Sequence, residues 1–312
     1  MRTYVFGPVP SRRLGISLGV DLTPTKTCSF DCLYCQLSRT RFHQSERDRF
    51  CPPEDVIKEL REVLEEIATP DWITFSGTGE PTLNIDLGFI IGELKKFCPA
   101  PVCVITNSSL LHLAEVRKEL MLADRILPTL TTVNPDTFRR IHRPAAGIEI
   151  EKILTGLKEF SAVFPGSIEL EIFVIPGMND SDEEVAGLRN FVLEMAKVDS
   201  IYLNTAVRMP LENEVATADH QKLESFRERL NLKVPVTTAF ERNIVPARPA
   251  RWSKANAENE ILKLLLRHPC NGEQLKQMLD IEPVRLLQLL GQLEHQNKIR
   301  LQKNGEWKLV ED

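Results

Sequence analysis

Between residues 16 and 230 the chain alternates six times between a short apolar run and a longer amphipathic or polar segment. The apolar runs span 16–22, 72–76, 102–106, 125–130, 168–175 and 201–205, and each reads as a strand. Helices are predicted over 53–68, 85–97, near 110–122, after the Asn134-Pro135 cap, after Ser181, and over 218–230. The first of these opens on Pro52, Pro53, Glu54 and Asp55, which suits the positive end of a helix dipole. Ser181 and Glu184 have the spacing of a capping box. An alternation of this kind makes neighbouring strands parallel and their crossovers right-handed. Two α/β architectures satisfy it, a doubly wound sheet and a partial barrel, and the period does not separate them. In both, reactive groups collect at the C-terminal ends of the strands.

At 312 residues there is room for one large domain and a small one. Hydrophobic residues at 42% and charged residues at 27% describe a globular protein. No apolar run approaches the ~20 residues that span a bilayer, and the N-terminal residues lack a signal-peptide apolar region. A cytoplasmic protein without membrane contact is expected. The seven cysteines are an odd number with three closely spaced, which argues for a reducing compartment over a disulfide framework. A net charge of −5 gives no global footprint for nucleic acid, so any such contact must be local.

Cys28, Cys32 and Cys35 follow the first strand, among Lys26, Thr27, Ser29 and Asp31. These polar neighbours make a loop, not a core strand. Four thiolates would close a zinc tetrahedron or an iron–sulfur cluster, whereas three leave one metal position open for chemistry. A structural zinc that borrows His43 is the alternative. The preferred reading is three ligands to a site-differentiated [4Fe–4S] cluster.

With Tyr34 ahead of the last cysteine, this segment resembles the signature of the radical S-adenosylmethionine (SAM) superfamily. The resemblance implies an open, partial (β/α)6 TIM barrel. It also implies SAM chelated to the open iron and an electron donor such as flavodoxin or ferredoxin. Cleavage of SAM would then give a 5′-deoxyadenosyl radical that abstracts a substrate hydrogen, with Cys28, Cys32 and Cys35 at the catalytic centre and Tyr34 near the adenine. Residues 76–82 resemble the family's "GGE" motif, which assigns Gly77, Thr78, Gly79 and Glu80 to SAM, with Thr78 standing between the glycines. Residues 175–180 resemble the fifth-strand segment that packs against adenine through Ile175, and Asn179-Asp180 read equally well as a turn. Asn107, Thr129 and Asn204 are further cofactor candidates by their strand-end positions. Cys51, Cys98, Cys103 and Cys270 read as small buried hydrophobes, so one cluster is expected.

Arginine binds phosphate and carboxylate bidentately. Arg12, Arg13, Arg143 and Arg208 are therefore candidates for an anionic substrate, against the alternative of a solvated basic surface. The barrel is assigned to residues 1–240 and a basic Pro/Arg linker to 241–256. Residues 257–312 form a winged-helix-like domain, with helices over 257–267, 272–279 and 283–296. A hairpin of 298–303 and 306–310 would close it across a type I′ turn at Asn304-Gly305. Residues 255–312 carry eight Lys and Arg against nine Asp and Glu, too few cations for duplex reading. Docking, substrate presentation or subunit pairing fits this domain better. Across residues 1–240 the motif order resembles a little-characterised radical SAM group near the wyosine-type tRNA-modifying synthases. The expected function is hydrogen abstraction from an RNA or other anionic substrate. The alternatives are radical modification or activation of a protein or peptide partner docked by the winged helix, and an iron–sulfur regulator.

Overall fold

The structure is a computed structural model that describes residues 3–37, 39–207, 212, 215–241, 257–267, 269–279 and 281–310. Arg208 and the linker from 242 to 256 lie outside the described residues. β1 (Val5–Ser11) and β2 (Gly15–Val20) form an antiparallel hairpin. Two short strands, β3 (Thr27–Cys28) and β4 (Phe42–His43), precede α1 (Pro53–Glu66) and β5 (Trp72–Phe75). The alternation continues through α2 (Leu87–Leu94), β6 (Val102–Thr106), α3 (Ala114–Leu120), β7 (Arg125–Pro128), α4 (Pro135–His142) and α5 (Ile150–Val163). It ends with β8 (Ser167–Phe173), α6 (Asp182–Glu194), β9 (Ser200–Asn204), α7 (His220–Leu230) and β10 (Val236–Thr238).

The main sheet has the order β1-β2-β5-β6-β7-β8-β9-β10, and every neighbour from β2 onward is parallel. This is a partial β/α barrel with β1 and β10 as its edges. The alternation predicts six strands, and the two it misses are those edges. β10 has three residues, too few to show a period. β1 carries Gly7, Pro8 and Pro10, which read as breakers, yet an edge strand tolerates proline because no ladder bond is lost there. The helices close over the outer face of the sheet. Val56, Leu60 and Val63 of α1 are fully buried at helical spacing, each worth about 1.5–3 kcal/mol. The lumen face is polar where Ser17 and Thr74 share a 2.5 Å hydroxyl hydrogen bond and where Arg13 pairs with Glu171.

The C-terminal region contains α8 (Ala257–Arg267), α9 (Gly272–Leu279), α10 (Pro283–His295) and the hairpin β11 (Ile299–Leu301) with β12 (Trp307–Leu309). Three helices and a hairpin constitute a winged-helix arrangement. Its core of Ile261, Leu265, Leu275, Leu289 and Leu293 extends to Val9 of β1, on which α8 and α9 pack. The hairpin turn departs from the expected type I′. Gly305 alone of the two tip residues takes a positive φ (81°), Gly305 N–H bonds Gln302 O, and Gln302 N–H bonds Glu306 O. That is a type I turn with a glycine bulge. The capping box is also half formed. Ser181 Oγ accepts from Glu184 N–H at 3.2 Å, but Thr132 and Thr137 claim the Glu184 carboxylate. Among the described residues no helix is long and apolar enough to cross a membrane.

Candidate active site at the barrel mouth

The cysteine loop leaves β2 and is stitched to the mouth of the barrel by backbone bonds. β3 pairs with β4 beneath it, and Asp31 and Leu33 donate to the carbonyls of His142 and Ile141 at the end of α4. Ala145 N–H closes on Ser29 O, and Thr40 Oγ1 donates to Phe30 O. Lys26 enters the loop at φ 60°, a left-handed conformation that costs a non-glycine residue about 1–2 kcal/mol. Its buried ammonium donates to Cys35 Sγ at 3.2 Å. Cys28 Sγ faces Phe30 N–H (3.5 Å) and Asn107 Nδ2 (3.6 Å), and Cys32 Sγ lies 3.2 Å from His142 Nδ1.

Burial pushes the Cys28 thiol up to about 12, with the Glu80 charge adding to it. Cys32 is held well above its ordinary value by burial and then by Cys28 and Cys35. Burial lowers His142 to about 3, so its imidazole is neutral near neutral pH. Among the described residues no three His, Cys, Asp or Glu side chains close into a metal-sized group. The donor chemistry nonetheless fits an iron–sulfur centre. Three free thiols lie within electrostatic reach of one another on one loop, and a metal's charge would favour their thiolate forms. Thr27 Oγ1, beside Cys28, is buried without a protein partner.

The glycine-rich segment after β5 packs against this loop. A Cβ on Gly79 would stand 1.9 Å from Thr27 O, and one on Gly77 would meet the Asp21 carboxyl at 2.2 Å. Thr78 is buried, and its N–H and Oγ1 both donate to Asp21 Oδ2 at 3.1 Å. The residue standing between the glycines therefore ties the ends of β2 and β5 together. Glu80 is 2% exposed. Its Oε1 accepts from Thr82 N–H, Thr82 Oγ1 and Thr106 Oγ1, while Oε2 accepts from Asn107 N–H at 2.7 Å. Burial raises its pKa and these donors oppose the rise. Oε2 keeps a further acceptor position.

The other expected residues are distributed around the mouth. Asn107 joins the centre directly, donating to Ser29 Oγ at 2.8 Å as well as facing Cys28. The Tyr34 ring stacks on Phe173 with centroids 3.9 Å apart. Ile175 is fully buried beside Leu33 and Phe173. Asn179 locks the following turn, accepting from Ile175 N–H and donating to Thr131 O and Phe173 O. Thr129 bridges to Glu171 through the backbone. Arg143 pairs with Glu212 (3.0 Å) and Asp31 (3.7 Å) beside the cysteine loop. Cys51, Cys98, Cys103 and Cys270 are all buried.

A cavity of about 230 Å³ occupies the lumen, lined by Arg12, Arg13, Ser17, Thr74, Tyr202 and Asn204 and reaching Gln36 next to Cys35. Arg13 lies 5.0 Å from the Tyr202 ring centre and pairs with Glu171 at 2.5 Å. Burial works against its charge, but Glu171 and Glu169 outweigh it and raise the pKa. The sequence reading missed Ser17, Thr74, Glu171 and Tyr202. One signal was available: Glu169 and Glu171 alternate within the otherwise apolar β8, an i, i+2 pattern that puts two carboxylates on one face of a parallel strand.

Comparison with known proteins places this geometry. The family described as "Radical SAM superfamily" matches residues 22–188. A UPF0026 protein of Methanocaldococcus jannaschii is 31% identical over 312 residues, covering 97% of this chain and 94% of that protein. A protein of Brachyspira hyodysenteriae named GTPase Obg is 35% identical over 300 residues; the match covers 95% of this chain but spans only 43% of that protein. A GTP 3′,8-cyclase of Peptoclostridium acidaminophilum is 31% identical over 168 residues, 52% of this chain and 48% of that one. Among solved structures, TYW1 with a lysine-pyruvate adduct shares the fold at TM-score 0.55 and 19% identity, covering 73% of this chain and 76% of that one.

Proposed function

Since this chain belongs to the radical SAM superfamily and is a radical SAM enzyme, we propose that Cys28, Cys32 and Cys35 hold a [4Fe–4S] cluster and that the lumen receives an RNA nucleotide or a nucleotide-like anion. Cluster and SAM, when bound, supply reductive cleavage of the sulfonium and the hydrogen abstraction that follows. The residues around them orient and shield. Lys26 and Asn107 direct N–H groups at the Cys35 and Cys28 sulfurs. Glu80 offers its remaining Oε2 position to the SAM amino group, beside the backbone of Gly77, Thr78 and Gly79. Tyr34, braced by Phe173, and Ile175 wall the adenine, with Thr129 and Asn204 on the neighbouring strand ends. The partly exposed cysteine loop accepts an electron donor such as flavodoxin or ferredoxin.

The observation that carries the substrate reading is the lumen cavity, which runs from Gln36 at the cysteine loop to the Arg12–Arg13 pair. Guanidinium, hydroxyl and amide groups in one partly open cavity suit a phosphate-bearing, hydrogen-bonding ligand. The cavity is too small for a folded RNA, so an RNA would present one nucleotide out of its stack, as in tRNA modification. Similarity to a protein named GTP 3′,8-cyclase supports the same substrate class. Arg143 and Arg208 are assigned to the approach of the anion. The test is anaerobic: the cluster is reconstituted and reduced, SAM is added, and 5′-deoxyadenosine is measured with and without RNA. Formation of 5′-deoxyadenosine is expected, together with RNA binding that weakens steeply with salt. Failure of the protein to take up a cluster would overturn the cysteine assignment, and a loaded, reduced protein that forms no 5′-deoxyadenosine would overturn SAM cleavage at this site.

A further inference from the structure

The lumen cavity is not closed by the barrel alone. Gln274 and Met278, one turn apart on α9, line it together with the barrel's own Arg12, Ser17 and Tyr202. They reach it at the open side of the sheet, where α8 and α9 lie on the edge strand β1. The seam is pinned by Arg267, the last residue of α8. Its Nε donates to Asp21 Oδ2 at 3.0 Å, and its Nη2 donates to Thr3 O at 3.3 Å. The guanidinium also lies 4.8 Å from the centre of the Phe6 ring. Phe6 in turn presses on Gly19, where a Cβ would come within 2.1 Å of the ring. Both ionic side chains are buried, and Asp21 Oδ2 is the same oxygen that takes both donors of Thr78. Removing either partner leaves the other's charge buried without its counter-ion. Helix α9 is thus a fixed wall of the chamber and not a tethered module. The third helix, α10, contributes no residue to this lining.

Resting on the reading of the lumen as the substrate site, we propose that the C-terminal domain contributes substrate-contacting residues to it. Gln274 bonds the polar edge of a nucleobase and Met278 packs on its face, while the phosphate lies toward Arg12. Gln274 Oε1 accepts from Asn271 N–H at 2.9 Å, which leaves its Nε2 donors and a second oxygen lone pair for a base edge, and a thioether adapts to a flat polarizable surface. Arg267 is a positioning residue that holds α9 against the opening.

The full-length enzyme, reconstituted anaerobically and saturated with SAM, is titrated calorimetrically with guanosine 5′-monophosphate (GMP). Gln274→Leu and Met278→Trp are each expected to weaken GMP binding by about tenfold or more. Gln277→Ala, on the exposed side of the same helix, is expected to bind as the unmodified protein does. Far-UV circular dichroism and cluster absorbance separate failure to fold from failure to bind. Arg267→Ala is expected to raise KM more than it lowers kcat, with partial rescue by Arg267→Lys. Displacement of GMP by unfractionated tRNA assigns the nucleotide to an RNA, and its persistence assigns it to a free nucleotide; either agrees with the proposal. Equal GMP affinity in both α9 variants and the unmodified protein overturns the inference and leaves the lumen reading standing. No GMP binding by unmodified protein that still cleaves SAM overturns the lumen reading itself.

Discussion

The cysteines of the barrel mouth and those of the core share one property and differ in another. Burial pushes Cys28 at the mouth and Cys103 in β6 up to about the same value, 12. Protonation therefore does not distinguish them. Their surroundings do. At the mouth the sulfurs face Lys26 Nζ, Asn107 Nδ2 and His142 Nδ1, and after burial it is Cys28 and Cys35 that raise the Cys32 pKa. Cys103 sits among Leu14, Leu127 and Trp72. Cys51 has one amide donor, Asn84 Nδ2 at 3.5 Å, but its charged neighbours are carboxylates and not thiols. A raised thiol pKa marks burial, whereas N–H donors around mutually crowded sulfurs mark a site awaiting positive charge.

The widest separation between the two groups should appear in turnover. Cys32→Ala is expected to lower 5′-deoxyadenosine formation by more than roughly 100-fold, beyond the usual cost of losing a supporting partner at a metal site. Cys51→Ala, by contrast, should stay within about threefold, because it removes only a small buried group. Equal losses in both would erase the distinction. Asn107→Ala comes next. It removes the amide that reaches Cys28 Sγ and Ser29 Oγ, and roughly 10–100-fold lower activity is expected with the fold retained.

Legibility in the sequence divides along the same line. The cysteine loop was readable because its donors lie within eight residues, 28 to 35, and local spacing survives folding. Most of the strand–helix order was readable for a similar reason, since buried parallel strands and amphipathic helices write their period into consecutive residues. The lumen was not, because Arg13, Glu171 and Tyr202 meet only after the barrel closes. The part played by Thr78 was hidden too. Its partner Asp21 lies at the end of another strand, and nothing within residues 76–82 announces it. The motif assigns the glycines to SAM, yet the close approach the structure records is to protein, at Thr27 O and the Asp21 carboxyl. Gly79→Ala tests this. Its new Cβ would collide with a backbone carbonyl in the loop that carries Cys28, so about 1–3 kcal/mol of stability should be lost, read as a lower urea midpoint. An unchanged midpoint would mean that the loop shifts freely and that the Gly79–Thr27 contact does not constrain the mouth.

The smallest expected effect isolates the core group. Cys103 is fully buried, and its thiol is raised from the ordinary 9.0 to about 12, chiefly by burial, with Arg13 and Arg125 opposing. A thiol is neutral when protonated, so folding favours the protonated form. Its contribution is fully present below the unfolded value and is lost as pH climbs through the window from 9 to 12, where the unfolded chain has released a proton that the folded one still holds. Between about pH 8 and about pH 10 that loss amounts to about 1 kcal/mol. Valine fills nearly the same volume in a strand and does not titrate, so Cys103→Val should keep its stability near pH 8 and lose about 1 kcal/mol less than the unmodified protein on going to pH 10. Urea midpoints of the cluster-free protein at the two pH values measure the difference. Parallel curves for the two proteins would show that the Cys103 thiolate is tolerated inside the barrel, and burial would then no longer account for the raised thiols of the core or, by the same physics, for Cys28 at the mouth.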